Sequence, residues 1–464
     1  MAIATEANEA VAAPRFSTRY RSWLLGLLVA VYACSFIDRI ILSTVGQAIK
    51  VELKLSDFQF GLLGGLAFAI FYAFFGIPIA RMAERTNRVT IISVCIALWS
   101  AMTALSGIAT NYWQLLFFRM GVGLGEGGCG PAAQSLLSDH YPPARRASAL
   151  AVFSAGVPLG SMLGAVAGGW LTDQFSWRAA FVVVGLPGLV LALLARGTLH
   201  EPPRGLSEGR PTSQTAPPLT AVVRRLASTP TFRNMALGCI LTNLSAAGIN
   251  TFAPSYLVRS FHLKYATVGL LYGTVVGAAG ILGMLAGGFG TDAAARRDQR
   301  WYCWAPAIGG ALALPIFLFA YTRGDAYSTA GTVFFGCICY SFYFAPTFAV
   351  IQNLVDARMR ASAAALMLFL INMFGQGLGP TIMGWISDRV AAREFGPAFL
   401  TVCPGGAAPK GSAGALASAC AQASSHGLHV SILLITGFFA WGSLHYLLAS
   451  RTIRRDLSEA RAAS

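Results

Sequence analysis

Charged residues are scarce in this sequence. Of its 464 residues, 11% are Asp, Glu, Lys or Arg and 55% are hydrophobic, and the mean hydropathy is +0.60. Values of this kind lie outside the range of soluble globular proteins. The composition therefore excludes a soluble enzyme or binding domain and predicts a polytopic membrane protein.

Several motifs that would indicate other chemistry are absent. No phosphate-binding loop ending in Lys-Ser or Lys-Thr is present, which argues against a motor driven by nucleotide hydrolysis. The nine cysteines show no metal-like spacing, so we expect no metal and no cofactor. Only Cys403 and Cys420 share a polar loop, and they can form a disulfide if that loop faces an oxidising compartment. No cleavable signal is apparent, so the first apolar run should stay in the protein.

The net charge of +15 raises the possibility of nucleic-acid binding, but the basic residues lie in short clusters between apolar runs rather than on one face. The positive-inside rule explains them better. With the N-terminus inside, the inner side receives more than twice as many of the 34 Lys and Arg as the outer side. We therefore expect no nucleic-acid partner and a multi-pass protein of the bacterial inner membrane with both termini cytoplasmic.

Apolar runs of about 20 residues are needed to cross a bilayer as helices. The sequence predicts twelve of them, at approximately Ser22–Ala48, Phe58–Ala80, Val89–Ile108, Trp113–Leu137, Ser148–Leu171, Arg178–Arg196, Phe232–Val258, Thr267–Gly290, Tyr302–Tyr321, Ser328–Leu354, Ser362–Ile386 and Leu428–Ser450. The predicted domains are a cytoplasmic tail 1–21, a six-helix bundle 22–196, a cytoplasmic linker 197–231, a second six-helix bundle 232–450 with a long outer loop 387–427, and a cytoplasmic tail 451–464. The fold class is thus an all-α integral membrane protein.

The two predicted bundles repeat each other in sequence. Gly169-Trp170-Leu171-Thr172-Asp173 returns as Gly384-Trp385-Ile386-Ser387-Asp388, at a spacing of 215 residues. This spacing indicates a duplicated six-helix unit. In such folds the substrate site lies between the two halves near the bilayer midplane. A site between two halves of one chain needs no second copy, so we expect a monomer.

Four charged residues interrupt the apolar runs. Asp38 and Arg39 lie within the first, and Arg119 and Glu126 lie within the fourth. Each charge costs roughly 3 kcal/mol at mid-bilayer, and all four on the order of 10 kcal/mol if unpaired and facing lipid. They must therefore pair or line a water-filled cavity, which makes them the primary candidate site.

The geometry of these charges allows two interpretations. Arg119 and Glu126 are two helical turns apart and point the same way, whereas Asp38 and Arg39 diverge by about 100° around their helix. The charges either neutralise one another to hold helices together, or form a proton and anion site. We favour the second, because a buried ion pair is rarely worth its desolvation. Asp38 and Glu126 would bind the proton, and Arg39 or Arg119 the anionic part of a substrate.

The second half carries neutral polar residues at the corresponding depth. Interhelical hydrogen bonding explains each of them singly, but together they are candidates for the substrate side of the cavity: Asn243, Asn250, Tyr340, Tyr343, Asn372 and Gln376. A site that is charged on one side and aromatic or apolar on the other suits an amphipath with an anionic head.

Three short motifs resemble the major facilitator superfamily. The sequence from Ala83 to Arg88 is similar to that family's loop between its second and third helices, and Gly156-Val157-Pro158-Leu159-Gly160 is similar to its fifth-helix signature. Phe36-Ile37-Asp38-Arg39 together with the segment from Arg119 to Glu126 resembles the Spinster-like branch, which includes carriers of sphingosine 1-phosphate and lysophospholipids.

The resemblance implies a proton-coupled transporter that works by alternating access. It also implies that charged residues at the inner helix ends latch the halves in the outward-open state, and these are Glu84, Arg85, Arg88 and Asp292. Asp173 and Asp388 fall on the outer side and are candidates for the opposite gate. Two rivals stay open: a carrier of small organic anions, and a membrane enzyme that acts on lipids with Asp38 and Glu126 as acid and base.

Overall fold

A computed structural model describes residues 16–202, 218–356 and 359–463, and every regular element in these ranges is helical. Eleven of the helical segments are long and apolar enough to cross a membrane. Tyr112–His140, the helix that carries Arg119 and Glu126, supplies the twelfth. The prediction of an all-α membrane protein with twelve spans in two six-helix halves is confirmed.

Spans 1 to 6 are Thr18–Glu52, Asp57–Gly64 with Leu66–Arg85, Arg88–Ser106, Tyr112–His140, Pro143–Ser154 with Gly156–Gln174, and Trp177–Thr198. Spans 7 to 12 are Pro230–Phe261, Tyr265–Thr274 with Val275–Ala279 and Gly280–Ala295, Trp301–Ala320, Ala326–Tyr340 with Ser341–Tyr343 and Phe344–Asn353, Arg360–Leu370 with Ile371–Gly377 and Leu378–Phe395, and Gly414–Ala449. Shorter helices outside the spans are Leu219–Ser228, Phe399–Val402, Pro404–Gly406 and Ile453–Ala463.

The two ends of the bundle carry different parts of the chain. The first and last described helices and the linker meet at one end, where Tyr141 donates a hydrogen bond to the Arg21 carbonyl and the Thr231 amide donates to Asp456. We call this end the linker face. The opposite end, which carries the disulfide between Cys403 and Cys420, is the disulfide face.

Among the described residues, five spans are interrupted: span 10 contains the 3-10 turn Ser341–Tyr343, and the other four interrupted spans lie where the halves meet. Span 2 breaks at Gly65 and span 5 at Ala155, while spans 8 and 11 contain the π-helical segments Val275–Ala279 and Ile371–Gly377. Span 2 packs against span 11, and span 5 packs against span 8. Because π-helical turns inside helices are frequent at functional sites, these interruptions make the interface between the halves a candidate functional region.

Glycine allows these interface helices to approach closely. An added Cβ at Gly61 would lie 2.2 Å from the Pro380 carbonyl oxygen, and one at Gly169 would lie 2.2 Å from the Tyr265 carbonyl oxygen. Membrane helices pack through small residues because lipid supplies no hydrophobic drive between them. The glycines therefore fix which helices of the two halves touch.

Two predicted segments differ from the structure. The predicted loop 387–427 is shorter, since span 11 continues to Phe395 and span 12 begins at Gly414. The chain from 414 to 427 is rich in alanine and has no proline, so it favours a helix despite its low hydrophobicity. The predicted linker 197–231 contains the helix Leu219–Ser228, and its residues 203–217 lie outside the described residues, as do 1–15 of the predicted N-terminal tail.

Candidate functional site

The four intramembrane charges predicted from sequence lie together in the first half. Arg39 donates through Nε to Glu126 Oε2 at 2.6 Å, which joins span 1 to span 4. The Glu126 side chain is 1% exposed and that of Arg39 is 24% exposed. Arg39 is therefore the member of this pair that reaches open space, while Glu126 lies behind it.

Aromatic rings surround the Arg39 guanidinium. Its central carbon lies 5.0 Å from the ring centre of Phe36, 4.7 Å from that of Phe68 and 4.9 Å from that of Tyr72. A guanidinium within about 6 Å of a ring face is attracted by the ring's negative charge distribution. Spans 1 and 2 therefore hold Arg39 in a fixed position.

Asp38 and Arg119 are more deeply enclosed. Each is 2% exposed, and Arg119 donates from Nη1 to the backbone oxygen of Asp38 at 3.3 Å. Thr103 of span 3 lies beside the Asp38 side chain. Arg39 thus binds a residue of span 4, while the neighbouring Asp38 lies beside span 3.

Hydrogen-bonding capacity is left over in this cluster. Asp38 Oδ1, Arg119 Nε and Glu126 Oε1 are buried atoms that have no hydrogen-bond partner among the described residues. Unpaired polar atoms in a low-dielectric interior are costly and are rare in folded proteins. The arrangement is chemically able to accept a proton on either carboxylate.

The glycines of span 4 explain how the charges come so close to spans 2 and 3. An added Cβ at Gly123 would lie 2.5 Å from the Phe68 carbonyl oxygen, and one at Gly125 would lie 2.8 Å from the Trp99 amide nitrogen. These residues belong to a sequence pattern that also fits dinucleotide-binding loops. In this helix the pattern serves close packing.

The opposing half presents neutral polar groups. Asn243 donates to the Tyr343 hydroxyl at 2.9 Å, and Asn250 donates to the Tyr340 hydroxyl at 3.4 Å. Tyr340 stacks on Phe439, with ring centres 5.6 Å apart. The structure thus pairs two predicted asparagines on span 7 with two predicted tyrosines on span 10.

The two predicted residues of span 11 form no hydrogen bond with spans 7 and 10 among the described residues. Asn372 donates to Leu368 of its own helix at 2.8 Å, and Gln376 is exposed. Gly375 brings the π-helical segment of span 11 against Asn243, since an added Cβ would lie 2.5 Å from its Oδ1. The site is charged on the side of the first half and neutral and aromatic on the other.

The predicted inner-gate residues lie at the linker face in different settings. Arg88 is buried and binds Glu201 at 2.6 Å and Asp139 at 2.5 Å, all within the first half and the start of the linker. Arg85 is exposed, and Asp292 is exposed and accepts from the Tyr302 hydroxyl at 3.1 Å. The side chain of Glu84 lies outside the described residues.

A charged network at the disulfide face was not predicted from the sequence. Asp57 binds Lys50 at 2.7 Å and Arg259 of the second half at 2.6 Å, and Arg259 also donates to Gln47 at 2.7 Å. The side chains of Lys50, Asp57 and Arg259 are 2%, 3% and 5% exposed. This network joins the two halves at the disulfide face.

Asp173 and Asp388, the repeated acidic residues, make equivalent contacts across the interface. Asp388 accepts from the amides of Asp57 and Phe58 at 2.9 and 2.8 Å, and Asp173 accepts from the amides of Tyr265 and Ala266 at 3.1 and 2.7 Å. Each carboxylate thus caps the first turn of a helix in the other half, where the helix dipole favours negative charge. The internal repeat was the sequence signal for this pair.

Comparison with known proteins agrees with the fold. Residues 28–380 match the family model of the Major Facilitator Superfamily. An MFS-type efflux pump of Mycolicibacterium smegmatis is 32% identical over 453 residues, covering 95% of both chains. A hexuronate transporter of Bacillus subtilis is 29% identical and covers 79% of this chain and 87% of its own, and human Protein spinster homolog 1 is 27% identical and covers 82% of this chain and 75% of its own.

Solved structures give the same result. A bacterial homolog of the human lysosomal transporter Spinster, in an inward-facing and unoccupied conformation, superposes with a TM-score of 0.88 at 31% identity, covering 95% of this chain and 99% of that one. Its occupied form superposes with a TM-score of 0.84. The resemblance to a Spinster-like transporter is confirmed.

Proposed function

The chain belongs to the major facilitator superfamily, and on this premise we propose that it is a proton-coupled transporter of an amphipathic, anionic, lipid-like substrate that works by alternating access. It is a multi-pass membrane transporter rather than an enzyme, as its relatives are. The proposed substrate class is that of lysophospholipids and sphingosine phosphates.

The pair formed by Arg39 and Glu126 is the observation that carries this proposal. Arg39 is partly exposed, always charged and held in place by three rings, so it is fit to bind a phosphate or carboxylate. Glu126 competes for the same guanidinium. A proton on Glu126 removes that competition, which links proton binding to substrate binding.

The second half supplies the surface for the substrate's tail. Tyr340 is half-buried and packs on the rings of Phe317 and Phe439, which are fully buried behind it. Asn250 donates to the Tyr340 hydroxyl, and Asn243 donates to that of Tyr343. Such a surface offers apolar area with a few neutral hydrogen-bonding groups. It fits an acyl or sphingoid chain better than a fully polar solute.

The conformation supports alternating access. The network around Asp57 closes the disulfide face, and the close contacts of spans 2 and 11 run from that face to Gly377. Disulfides persist in oxidising compartments, so we place the disulfide face outside and the linker face in the cytoplasm of a bacterial inner membrane. With this orientation the proposed state is inward-facing, and similarity to an inward-facing bacterial homolog supports the proposal.

In the outward-open state the linker face must close. We propose that charged residues then hold the linker face closed, and these are Glu84, Arg85, Arg88 and Asp292. Their contacts break when the protein changes to the inward-facing state, before substrate is released. Asp173 and Asp388 act at the other gate, where they already join the halves. No cofactor is involved in the proposed cycle, and one chain contains the whole site.

A carrier of small organic anions is the second candidate, and similarity to the hexuronate transporter favours it. Counter-flow in proteoliposomes discriminates the two. Vesicles loaded with unlabelled compound are diluted into the same labelled compound, with a lysophospholipid and a hexuronate tested side by side. We expect counter-flow of the lysophospholipid only. Counter-flow of the hexuronate alone would assign the chain to the second class.

A further inference from the structure

The segment between spans 11 and 12 forms a small folded unit on the second half. Cys403 and Cys420 are bonded across 17 residues, and both are fully buried. Together with Phe399, Ala391 and Ala423 they form an apolar core separate from the cores of the two bundles. This unit is held rigidly to the ends of spans 11 and 12.

The turn Pro404–Gly406 of this unit reaches the first half. An added Cβ at Gly405 would lie 2.7 Å from the Lys50 carbonyl oxygen and 3.1 Å from Val51 Cα. One at Gly406 would lie 2.5 Å from Ser424 Oγ and 3.1 Å from Lys50 Nζ. Backbone therefore lies directly on the last turn of span 1, and a side chain would hold it away.

Both glycines also have backbone angles that other residues rarely adopt. The φ angle is 75° at Gly405 and 79° at Gly406. Glycine reaches this region without a steric penalty. The turn is therefore built to bring its backbone against span 1.

The contact falls on the residue at the centre of the closed gate. Lys50 binds Asp57 at 2.7 Å, and Asp57 is held by Arg259 and Ser387 of the second half. Lys50 is 1% exposed, so it is covered as well as paired. The second half thus contacts this lysine-aspartate pair of the first half at two places. Arg259 and Ser387 bind Asp57, and the turn Pro404–Gly406 packs on Lys50.

We infer that the disulfide-pinned turn Pro404–Gly406 is a clasp that holds the disulfide face closed by covering Lys50 of span 1. The disulfide closes a short loop and so restricts the turn even when the turn is not bound to span 1. The turn therefore loses less conformational entropy when it packs against span 1. Opening of the disulfide face withdraws the turn from Lys50. Loss of the disulfide or of the glycine contact therefore raises the open fraction.

Distance measurements between spin labels on the two halves test this inference without any substrate, so its outcome is independent of the transported compound. Labels are placed at Thr110 and Tyr327, which are exposed residues of the disulfide face on the first and second halves. They are attached through a ketone-bearing amino acid, so that no thiol chemistry touches the native cysteines. The variants are Cys403→Ser with Cys420→Ser, Gly406→Ala, and the control Gly414→Ala, whose added Cβ meets open space.

We expect one dominant short distance in the parent protein and in Gly414→Ala. In the double serine variant and in Gly406→Ala, a second, longer distance should increase several-fold. A parent-like distribution in either variant overturns the inference. Elution as a single monodisperse peak verifies folding, and if the double serine variant does not fold, Gly406→Ala, which keeps the disulfide, decides the question.

Discussion

Arg39 donates to Glu126 across 2.6 Å, yet the two side chains differ in access, at 24% and 1% exposure. The cation faces open space and the carboxylate lies behind it. In a low-dielectric site, each charge strongly affects the state of the other. In the proposed transport cycle, this order of the two groups couples the binding of a substrate anion to the binding of a proton.

Arg39→Ala should nearly abolish substrate binding, and Arg39→Lys should weaken it at least tenfold. Lysine keeps the charge but lacks the planar fork that binds phosphate or carboxylate through two hydrogen bonds. Equilibrium binding of radiolabelled lysophospholipid to purified protein measures both. Arg233→Lys, at an exposed position of span 7 on the linker face, is the matched control, and equal affinity in Arg39→Lys and this control would contradict the role of Arg39.

Arg119 is expected to act differently from Arg39, because it is 2% exposed and donates to the span 1 backbone. Arg119→Lys should impair transport measurably and Arg119→Ala should nearly eliminate it. If Arg119 binds substrate, Arg119→Ala loses affinity at every pH. If it acts on the carboxylates, affinity survives and the pH optimum of transport moves upward, since a carboxyl group without a nearby cation keeps its proton at higher pH.

Binding and transport measured across pH separate these two roles of Arg119. An unchanged affinity with an unchanged pH profile would show that Arg119 only holds helices together. That outcome would also argue against a proton and substrate site formed by Asp38, Arg39 and Glu126.

Asp388→Asn should open the disulfide face more than Asp173→Asn does. Both carboxylates accept two backbone amides across the interface, but Asp388 is 8% exposed whereas Asp173 is exposed to solvent. Hydrogen bonds to charged groups contribute about 1.5–3 kcal/mol when shielded, so we expect about a tenfold change in the open fraction for Asp388→Asn. The distance between labels at Thr110 and Tyr327 measures it. Equal effects of the two variants would contradict the role of burial.

Arg88→Ala should lower the free energy of unfolding by about 1.5–3 kcal/mol, because a buried guanidinium no longer donates to two charged groups. Arg88 binds the half-buried carboxylates of Glu201 and Asp139. Thermal unfolding in detergent measures the change. Arg85→Ala, on the exposed side of the same loop, should stay within about 0.5 kcal/mol of the parent. A change of less than about 0.5 kcal/mol for Arg88→Ala would show that its two ion pairs do not stabilise the fold.

Much of the fold is readable from the sequence because a bilayer enforces it. Backbone groups in lipid must be satisfied internally, so apolar length predicts each span. The charges at Asp38 and Glu126 stand out for the same reason, since intramembrane charge is rare. The internal repeat also drew attention to Asp173 and Asp388.

The rest depends on contacts that distant segments make in three dimensions. Lys50, Asp57 and Arg259 fall near predicted span ends, where charge is ordinary and indicates no partner. Their mutual burial arises only when spans 1, 2 and 7 meet. The choice of Arg39 rather than Arg119 as the partner of Glu126 likewise depends on helix rotation, which spacing along one helix does not determine.

Proton-gradient-driven uptake in Asp38→Asn and Glu126→Gln tests the central claim most directly. Both changes remove a titratable group and keep the side-chain shape, so folding should stay near normal. Proteoliposomes with an imposed pH gradient are given labelled lysophospholipid, and Glu459→Gln, at an exposed carboxylate of the linker face, is the control. We predict that the parent and Glu459→Gln accumulate substrate against its gradient and that neither Asp38→Asn nor Glu126→Gln does. Full accumulation by both site variants would contradict the account.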